Sequence, residues 1–492
     1  MADRISRRYF LAGLGALLAP ASGWANAPET SLRPRLRGAR LSDPEKVIRA
    51  AGLKGEVVFA VADVKTGNQL EAFGGENGLP PASVAKALTA LYALDLLGPD
   101  HRFETRLIAD GPVENGILKG DLILAGGGDP LLDTEALASM AANLRKAGIR
   151  EVRGAFKVYE GALPYVNSID PTQPDHVGYS PAVTGIALNF NRVHFEWARG
   201  AKGYAVSMDA RSANYRPDVA MAKMLVADRS LPIYTYQASA RVDNWTVART
   251  ALGNGGARWL PVRRPSLYAG DVFQTLARVN GIVLGRTQVV RSLPEGAVLV
   301  THRSEPLIDI LRGMLKYSTN LTAEMVGMAA TKARGAMPAD LQDSAREMNR
   351  WAAEKYGATR TAMADHSGLS DASRMAPGDL VKALVAARKT NVLRPLLKPY
   401  NLRDSKGRPT NSHPIKVDAK TGTLNFVSGL GGFMTTAGGV ELAFAIFTAD
   451  IAHRATLSRA QRERPEGARP WNSRSRRLQQ ALIERWGSLY GS

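Results

Sequence analysis

The chain has 492 residues, 45% hydrophobic and 22% charged, with no cysteine and a formal net charge of +19. That length exceeds what one hydrophobic core organises, and the composition excludes a disordered tail or a multi-span membrane protein. Without cysteine there are no disulfides, zinc fingers or thiolate sites, and the seven histidines form no H-E-x-x-H pair, so neither a metal nor another cofactor is expected.

Arg4, Arg7 and Arg8 precede an apolar stretch from Tyr9 to Leu18 and small residues from Ala19 to Ala27, the pattern of a removable export signal over residues 1–27. Ser6-Arg7-Arg8-Tyr9-Phe10-Leu11 resembles the twin-arginine export motif. The apolar stretch is too short to span a membrane, which takes about 20 residues. A periplasmic protein is the expectation. Three arginines and one aspartate leave with the signal, and the mature chain stays strongly basic. That balance favours anionic wall polymer, an anionic membrane surface or a carboxylate-ended substrate over nucleic acid, which an exported protein seldom meets.

After a basic arm, Ser42-Asp43-Pro44-Glu45 reads as a capping box opening a short helix that stops at Gly52. Val57, Phe59 and Val61 alternate in a strand that turns at Lys65-Thr66-Gly67-Asn68 and returns through Leu70 and Ala72. From Ser83 to Leu97 the chain is apolar nearly all round and closed by Gly98 and Pro99, which predicts a buried helix headed by Ser83. Residues 99–299 change to short alternating runs broken by Gly, Pro and Asn, a mixed α+β texture that includes Gly120 to Leu124 and the turn-like Gly126 to Pro130. Helical patterns resume at 306–316, 320–333 and 338–356, with strand-like runs at 423–436 and 440–449 and a basic helix from Ser473 to Trp486. The basic segment 453–476 reads as a solvated loop.

Ser83 and Lys86 stand three apart, so on a helix they share a face with Cβ atoms about 5 to 6 Å apart, close enough for an amine to take the hydroxyl proton. Tyr317-Ser318-Thr319-Asn320 places a hydroxyl and an amide two apart just before a helix. Ser318 can pass a proton to a leaving group, and Asn320 can hydrogen-bond Lys86 and a substrate carbonyl. Lys420-Thr421-Gly422-Thr423 opens the later strand-like run. There Gly422 would admit a substrate backbone, Thr421 and Thr423 would bind a terminal carboxylate, and the Lys420 charge would push Lys86 toward its neutral form. An earlier Lys65-Thr66-Gly67 lies in a hairpin turn and is assigned to turn chemistry.

The order S-x-x-K, S-x-N, K-T-G resembles the set found in penicillin-binding proteins and class A β-lactamases. With Pro81-Ala82-Ser83, Gly120-Asp121-Leu122, Gly126 to Pro130, the Asn320 to Glu324 helix start and Asp365-His366-Ser367-Gly368-Leu369-Ser370, the chain resembles the D-alanyl-D-alanine carboxypeptidase/endopeptidase branch of penicillin-binding proteins, the low-molecular-mass class C serine peptidases. The long insert between Lys86 and Ser318 separates it from compact β-lactamases. Three positions depart from the family pattern: Thr319 where an acidic or amide residue is usual, His366 in place of a glycine, and Val84 where a hydroxyl residue is common. His366 reads as a loop residue near the cleft.

The resemblance implies an α+β fold, a penicillin-binding acylating domain built on an antiparallel sheet flanked by helices, with two nested inserted domains. The expected division is residues 28–98 with 300–492 for the acylating domain, 99–170 with 242–299 for the second, and 171–241 for the third. It also implies catalysis by Ser83, Lys86, Ser318, Asn320 and Lys420, substrate binding by Thr421, Gly422 and Thr423, and Ser318 in contact with Lys86. The substrates are peptidoglycan stem peptides ending in D-Ala-D-Ala, and β-lactams are the expected inhibitors. The rival readings are a β-lactamase-type hydrolase and a non-catalytic wall-binding protein.

Overall fold

The structure, a computed structural model, describes residues 43–404, 406–463 and 465–491, so the expected export signal lies outside the described residues. Helix α1 (Pro44–Ala51) is capped by the Asp43 carboxylate, which accepts from the Glu45 N–H, and ends at Gly52 with φ 56°. The cap is therefore Asp43; Ser42 of the predicted capping box lies outside the described residues. Strands β1 (Glu56–Asp63) and β2 (Gln69–Phe73) form the expected antiparallel hairpin. The alternation in β1 marks only one of two buried faces, because Val58, Ala60 and Ala62 are buried as fully as Phe59 and Val61.

Helix α2 (Ala85–Leu97) is buried from Ala85 to Leu94, as its unbroken apolar surface requires. It begins two residues later than predicted, because Ala82–Val84 form a 3₁₀ turn ahead of it. Beyond α2 come β3 (Glu104–Asp110), β4 (Asp121–Ala125), α3 (Thr134–Lys146) and β5 (Phe156–Tyr159). Six strands come next: β6 (Arg192–Gly200), β7 (Gly203–Asp209), β8 (Ala222–Ala227), β9 (Tyr234–Ala238), β10 (Asp243–Ala248) and β11 (Gly255–Pro261). Helix α4 (Pro265–Val279), β12 (Gln288–Val290) and β13 (Ala297–Arg303) complete this region. Its principal sheets are a mixed five-stranded sheet ordered β12-β5-β4-β3-β13 and two three-stranded sheets, β7-β6-β11 and β8-β10-β9.

The predicted helices appear as α5 (Leu307–Tyr317), α6 (Asn320–Ala333) and α7 (Leu341–Tyr356), while α8 (Pro377–Arg388) has no counterpart among the predicted elements. Strands β14 (Lys398–Pro399), β15 (Lys416–Leu424), β16 (Val427–Thr435) and β17 (Glu441–Ala449) precede the short helix α9 (Ile451–Ala455) and the terminal helix α10 (Ala468–Leu489). The run predicted as one strand over 423–436 is broken. Leu424 pairs with Val427 across a two-residue turn at Asn425-Phe426, and Phe426 takes φ 57° without the glycine that announces such turns. The Lys420 tetrad consequently occupies the far half of β15, not a strand's beginning.

Strands β14-β15-β16-β17-β1-β2 form one antiparallel sheet. On one face Phe59, Val61, Phe444 and Ile446 pack with Leu478, Leu482 and Trp486 of α10; on the other Val58, Ala60 and Ala445 join the helical core around α2. Each face of the sheet thus buries its apolar residues under helices. The basic segment 453–476 is only in part the expected solvated loop: residues 455–461 are mostly exposed, but α10 begins at Ala468 and two arginines make specific contacts. Arg454 is buried, with its guanidinium 3.0 Å from Asp371 and 3.0 Å from the Asn425 carbonyl, and Arg459 pairs with Asp175 at 2.7 Å. No helix among the described residues is long and apolar enough to cross a membrane.

Trp486 is fully buried, with its ring edge-on to Phe59 at 5.6 Å and its indole N–H donated to Glu71. Trp486→Ala should destabilise the chain by about 3–5 kcal/mol, read as a lowered midpoint of denaturant unfolding.

Candidate active site

The turn carrying Ser83 is pressed between two glycines. A Cβ at Gly422 of β15 would sit 2.5 Å from the Pro81 oxygen and 3.0 Å from the Ser83 nitrogen; one at Gly368 would meet the Ala82 oxygen at 1.9 Å. Gly422 therefore lets β15 itself approach the turn, a close contact not anticipated from the sequence. Between the two glycines Ala82 is forced to φ 46°, a conformation costing an L-residue about 1–2 kcal/mol. Ser83 is half-buried in the middle of this strained turn and heads the helix only loosely, since no side-chain cap is made.

One turn along, Lys86 is fully buried. Its ammonium donates to Ser83 Oγ at 2.9 Å, Asn320 Oδ1 at 2.7 Å and the Ser367 carbonyl at 2.8 Å. Burial, reinforced by the charge of Lys420, lowers its pKa to about 7 against the opposing pull of Asp365 and Glu324. Asn320 begins α6, and its amide nitrogen donates to the Tyr179 carbonyl at 3.0 Å. Ser318 closes α5 at φ 60° and accepts from Lys420 Nζ at 3.0 Å. The hydrogen bond expected between Ser318 and Lys86 is thus made by Lys420, whose own pKa is lowered to about 8 by burial and then by Lys398. Thr421 and Thr423 are exposed, while Lys420 and Gly422 are buried, as the two-residue period of a strand dictates.

Three groups behind the lysine were not singled out as site residues. Glu324, one turn beyond Asn320 on α6, accepts from the backbone N–H of His366 at 2.9 Å and of Ser367 at 2.8 Å. Asp365 accepts from the N–H of Gly368 at 3.0 Å and of Ser370 at 2.8 Å. Both carboxyls are raised by burial, Glu324 to about 8. Together they pin the loop that presents the Ser367 carbonyl to Lys86. The available signal was the i, i+4 spacing of Asn320 and Glu324, which puts both on one helix face. His366 is not beside the cleft. It is fully buried, 2.8 Å from Ser344 Oγ and stacked at 6.3 Å on Tyr92, and burial drives its pKa down to about 3.

The earlier Lys65-Thr66-Gly67 forms a turn in which Asp63 accepts from the Thr66 N–H at 2.8 Å, with Gly67 at φ 77°. His194, Glu196 and Asp209 have potential ligand atoms within 4.8 Å of one another. The Arg211 guanidinium bridges Asp209 and Glu196, so the group reads as an ion-pair network.

The model of the D-Ala-D-Ala carboxypeptidase 3 (S13) family matches residues 44–465. The chain is 27% identical over 450 residues to a D-alanyl-D-alanine carboxypeptidase of Actinomadura sp., covering 83% of this chain and 81% of that protein. It is 27% identical over 415 residues to the D-alanyl-D-alanine carboxypeptidase DacB of Haemophilus influenzae, covering 80% and 85%. The fold superposes on the crystal structure of penicillin binding protein 4 (dacB) from H. influenzae with a TM-score of 0.69 at 22% identity, covering 83% of this chain and 93% of that one. With a family match spanning most of its length, the chain belongs to the D-Ala-D-Ala carboxypeptidase 3 (S13) family and is a serine-type peptidase.

Proposed function

We propose that this protein is an exported, periplasmic enzyme of peptidoglycan remodelling, delivered by the twin-arginine type of signal at residues 1–27, that cleaves D-Ala-D-Ala stem peptides through a Ser83 acyl-enzyme. The observation that carries this reading is the Lys86 ammonium, buried and 2.9 Å from Ser83 Oγ. Neutral Lys86 takes the Ser83 proton, and the oxygen attacks the carbonyl between the two D-alanines. The N–H groups of Ser83 and Thr423 receive the oxyanion. As the C–N bond breaks, Ser318 gives its hydroxyl proton to the departing amine and regains one from Lys420 Nζ, 3.0 Å away; Lys86 releases the Ser83 proton to solvent, and Lys420 takes one back from it. Water then hydrolyses the ester. Asn320 orients Lys86 and the substrate, and Lys420, Thr421 and Thr423 bind the terminal carboxylate.

Carboxypeptidase and endopeptidase cleavage share this chemistry and differ only in the group beyond the scissile bond. The proposed acylating domain is residues 28–98 with 300–492, the second domain 99–170 with 242–299, and the nested third 171–241. The six-stranded sheet, which draws on residues 56–73 and 398–449 alone, supports the first of these; the five-stranded sheet draws on 104–159 and 288–303 and so carries the second domain past 299, while β10 and β11 (243–261) pair with β6, β8 and β9 (192–238) across the boundary at 241.

A labelled penicillin should acylate the chain stably, and the protein should release D-alanine from a pentapeptide. Ser83→Ala should abolish both, and an adduct on that variant would overturn the assignment. Rapid turnover of penicillin would favour a β-lactamase, and neither adduct nor release a wall-binding protein.

Acylation should follow a bell in pH. The rate rises as Lys86 loses its proton near pH 7 and falls as Lys420 loses its charge near pH 8. Lys420→Met removes a positive charge that disfavours protonated Lys86, so the acid limb should move to higher pH; an unmoved limb would show that Lys420 does not tune the base. Gly422→Ala should slow penicillin acylation at least tenfold, because its Cβ meets backbone that cannot yield without displacing Ser83.

A further inference from the structure

A cleft of about 370 Å³ opens among the inserted elements, lined by Arg241, Arg263, Arg264, Arg291, Glu160 and Tyr165. A second of about 360 Å³ shares Glu160, Tyr165 and Arg291 with it and extends to Lys332 and the apolar Met337. Both volumes suit a small ligand. The arginines do different things. Arg263 is buried, and its guanidinium donates to the carbonyls of Asn167 at 3.1 Å, Ser180 at 2.7 Å and Asp175 at 2.8 Å. Arg241 donates to the Thr287 carbonyl at 2.8 Å and Arg264 to the Ser239 carbonyl. A guanidinium offers five N–H groups, so most of those on Arg241 and Arg264 stay available. Arg264 Nε is buried without a hydrogen bond among the described residues and lies 3.9 Å from Asp243. Glu160 brings a carboxylate into the same cleft, bonded by Ser266 Oγ and, at 3.4 Å, by Arg291.

We propose that this cleft is a second binding site, taking a carboxylate of a wall stem peptide other than the one being cleaved. Arg241 and Arg264 receive the carboxylate in the forked geometry that guanidinium and carboxylate share, and Glu160 accepts an N–H or ammonium of the same peptide. Glu160 is what favours a peptide over a phosphate polymer, since its charge repels a phosphate that brings no donor. The apolar extension toward Met337 fits the peptide's aliphatic side chains. Arg263, which lines the cleft, holds carbonyls of the segment 167–180, whose Tyr179 carbonyl accepts from Asn320. The second peptide therefore binds one short segment away from the group that orients Lys86.

The test is calorimetric titration of the full chain, with Ser83 acylated by penicillin, using the stem tripeptide L-Ala-γ-D-Glu-L-Lys, which carries no D-Ala-D-Ala. A chain that resists acylation is titrated unmodified, so failure of the acyl-enzyme reading and failure of this one remain separable. Wild type should bind one tripeptide, severalfold more weakly as Arg241→Gln and at least tenfold more weakly as the Arg241→Gln/Arg264→Gln double variant. Glu160→Gln should weaken the tripeptide while strengthening inorganic phosphate. Absence of binding, equal affinity in the arginine variants, or phosphate bound more tightly than tripeptide by wild type would each overturn the proposal.

Discussion

The site depends on a lysine held where water does not reach. A buried ammonium is tolerable only when its N–H groups have acceptors or when it gives up its proton. Lys86 meets both conditions: it has three acceptors and a pKa brought to about 7. The helix that carries it leaves no alternative. Helix α2 is apolar on every side, so it packs at the centre of the core, and Lys86 goes in with it.

The acidic groups behind Lys86 matter through the backbone. Glu324 and Asp365 accept from four N–H groups of the loop His366 to Ser370, and it is the loop's Ser367 carbonyl, a neutral acceptor, that reaches the amine. A carboxylate bonded directly to Lys86 would stabilise its charged form more strongly and raise its pKa. With the acids one step removed, desolvation and Lys420 prevail. The same loop supplies Gly368, which presses on the Ser83 turn, so a single pinned loop positions both Ser83 and Lys86.

One segment of the inserted region meets Asn320 directly. Tyr179 accepts from Asn320, Arg263 grips the carbonyls on either side of it, and Arg459 near the C-terminal end clasps Asp175 and the Gln173 carbonyl. Arginines that look like a basic surface tract in one dimension are the fastenings between distant parts of the chain.

What the sequence determined by itself was local. The three-residue spacing of Ser83 and Lys86, the apolar helix behind them, the turn at Lys65-Thr66-Gly67 and the three motifs in their order all stem from helical and strand periods and from turn chemistry. The departures at the site rest on what stands opposite each residue in the fold. Ser318 pairs with Lys420 instead of Lys86; Gly422 makes room for Pro81 and Ser83; Glu324 holds the loop whose Ser367 carbonyl meets Lys86; His366 sinks into the core beside Ser344; and Arg454 is buried against Asp371. A residue's period records which face it shares, but not what stands opposite. Only folding, which brings residues more than two hundred positions apart within hydrogen-bond reach of Lys86, decided which groups surround Ser83 and Lys86.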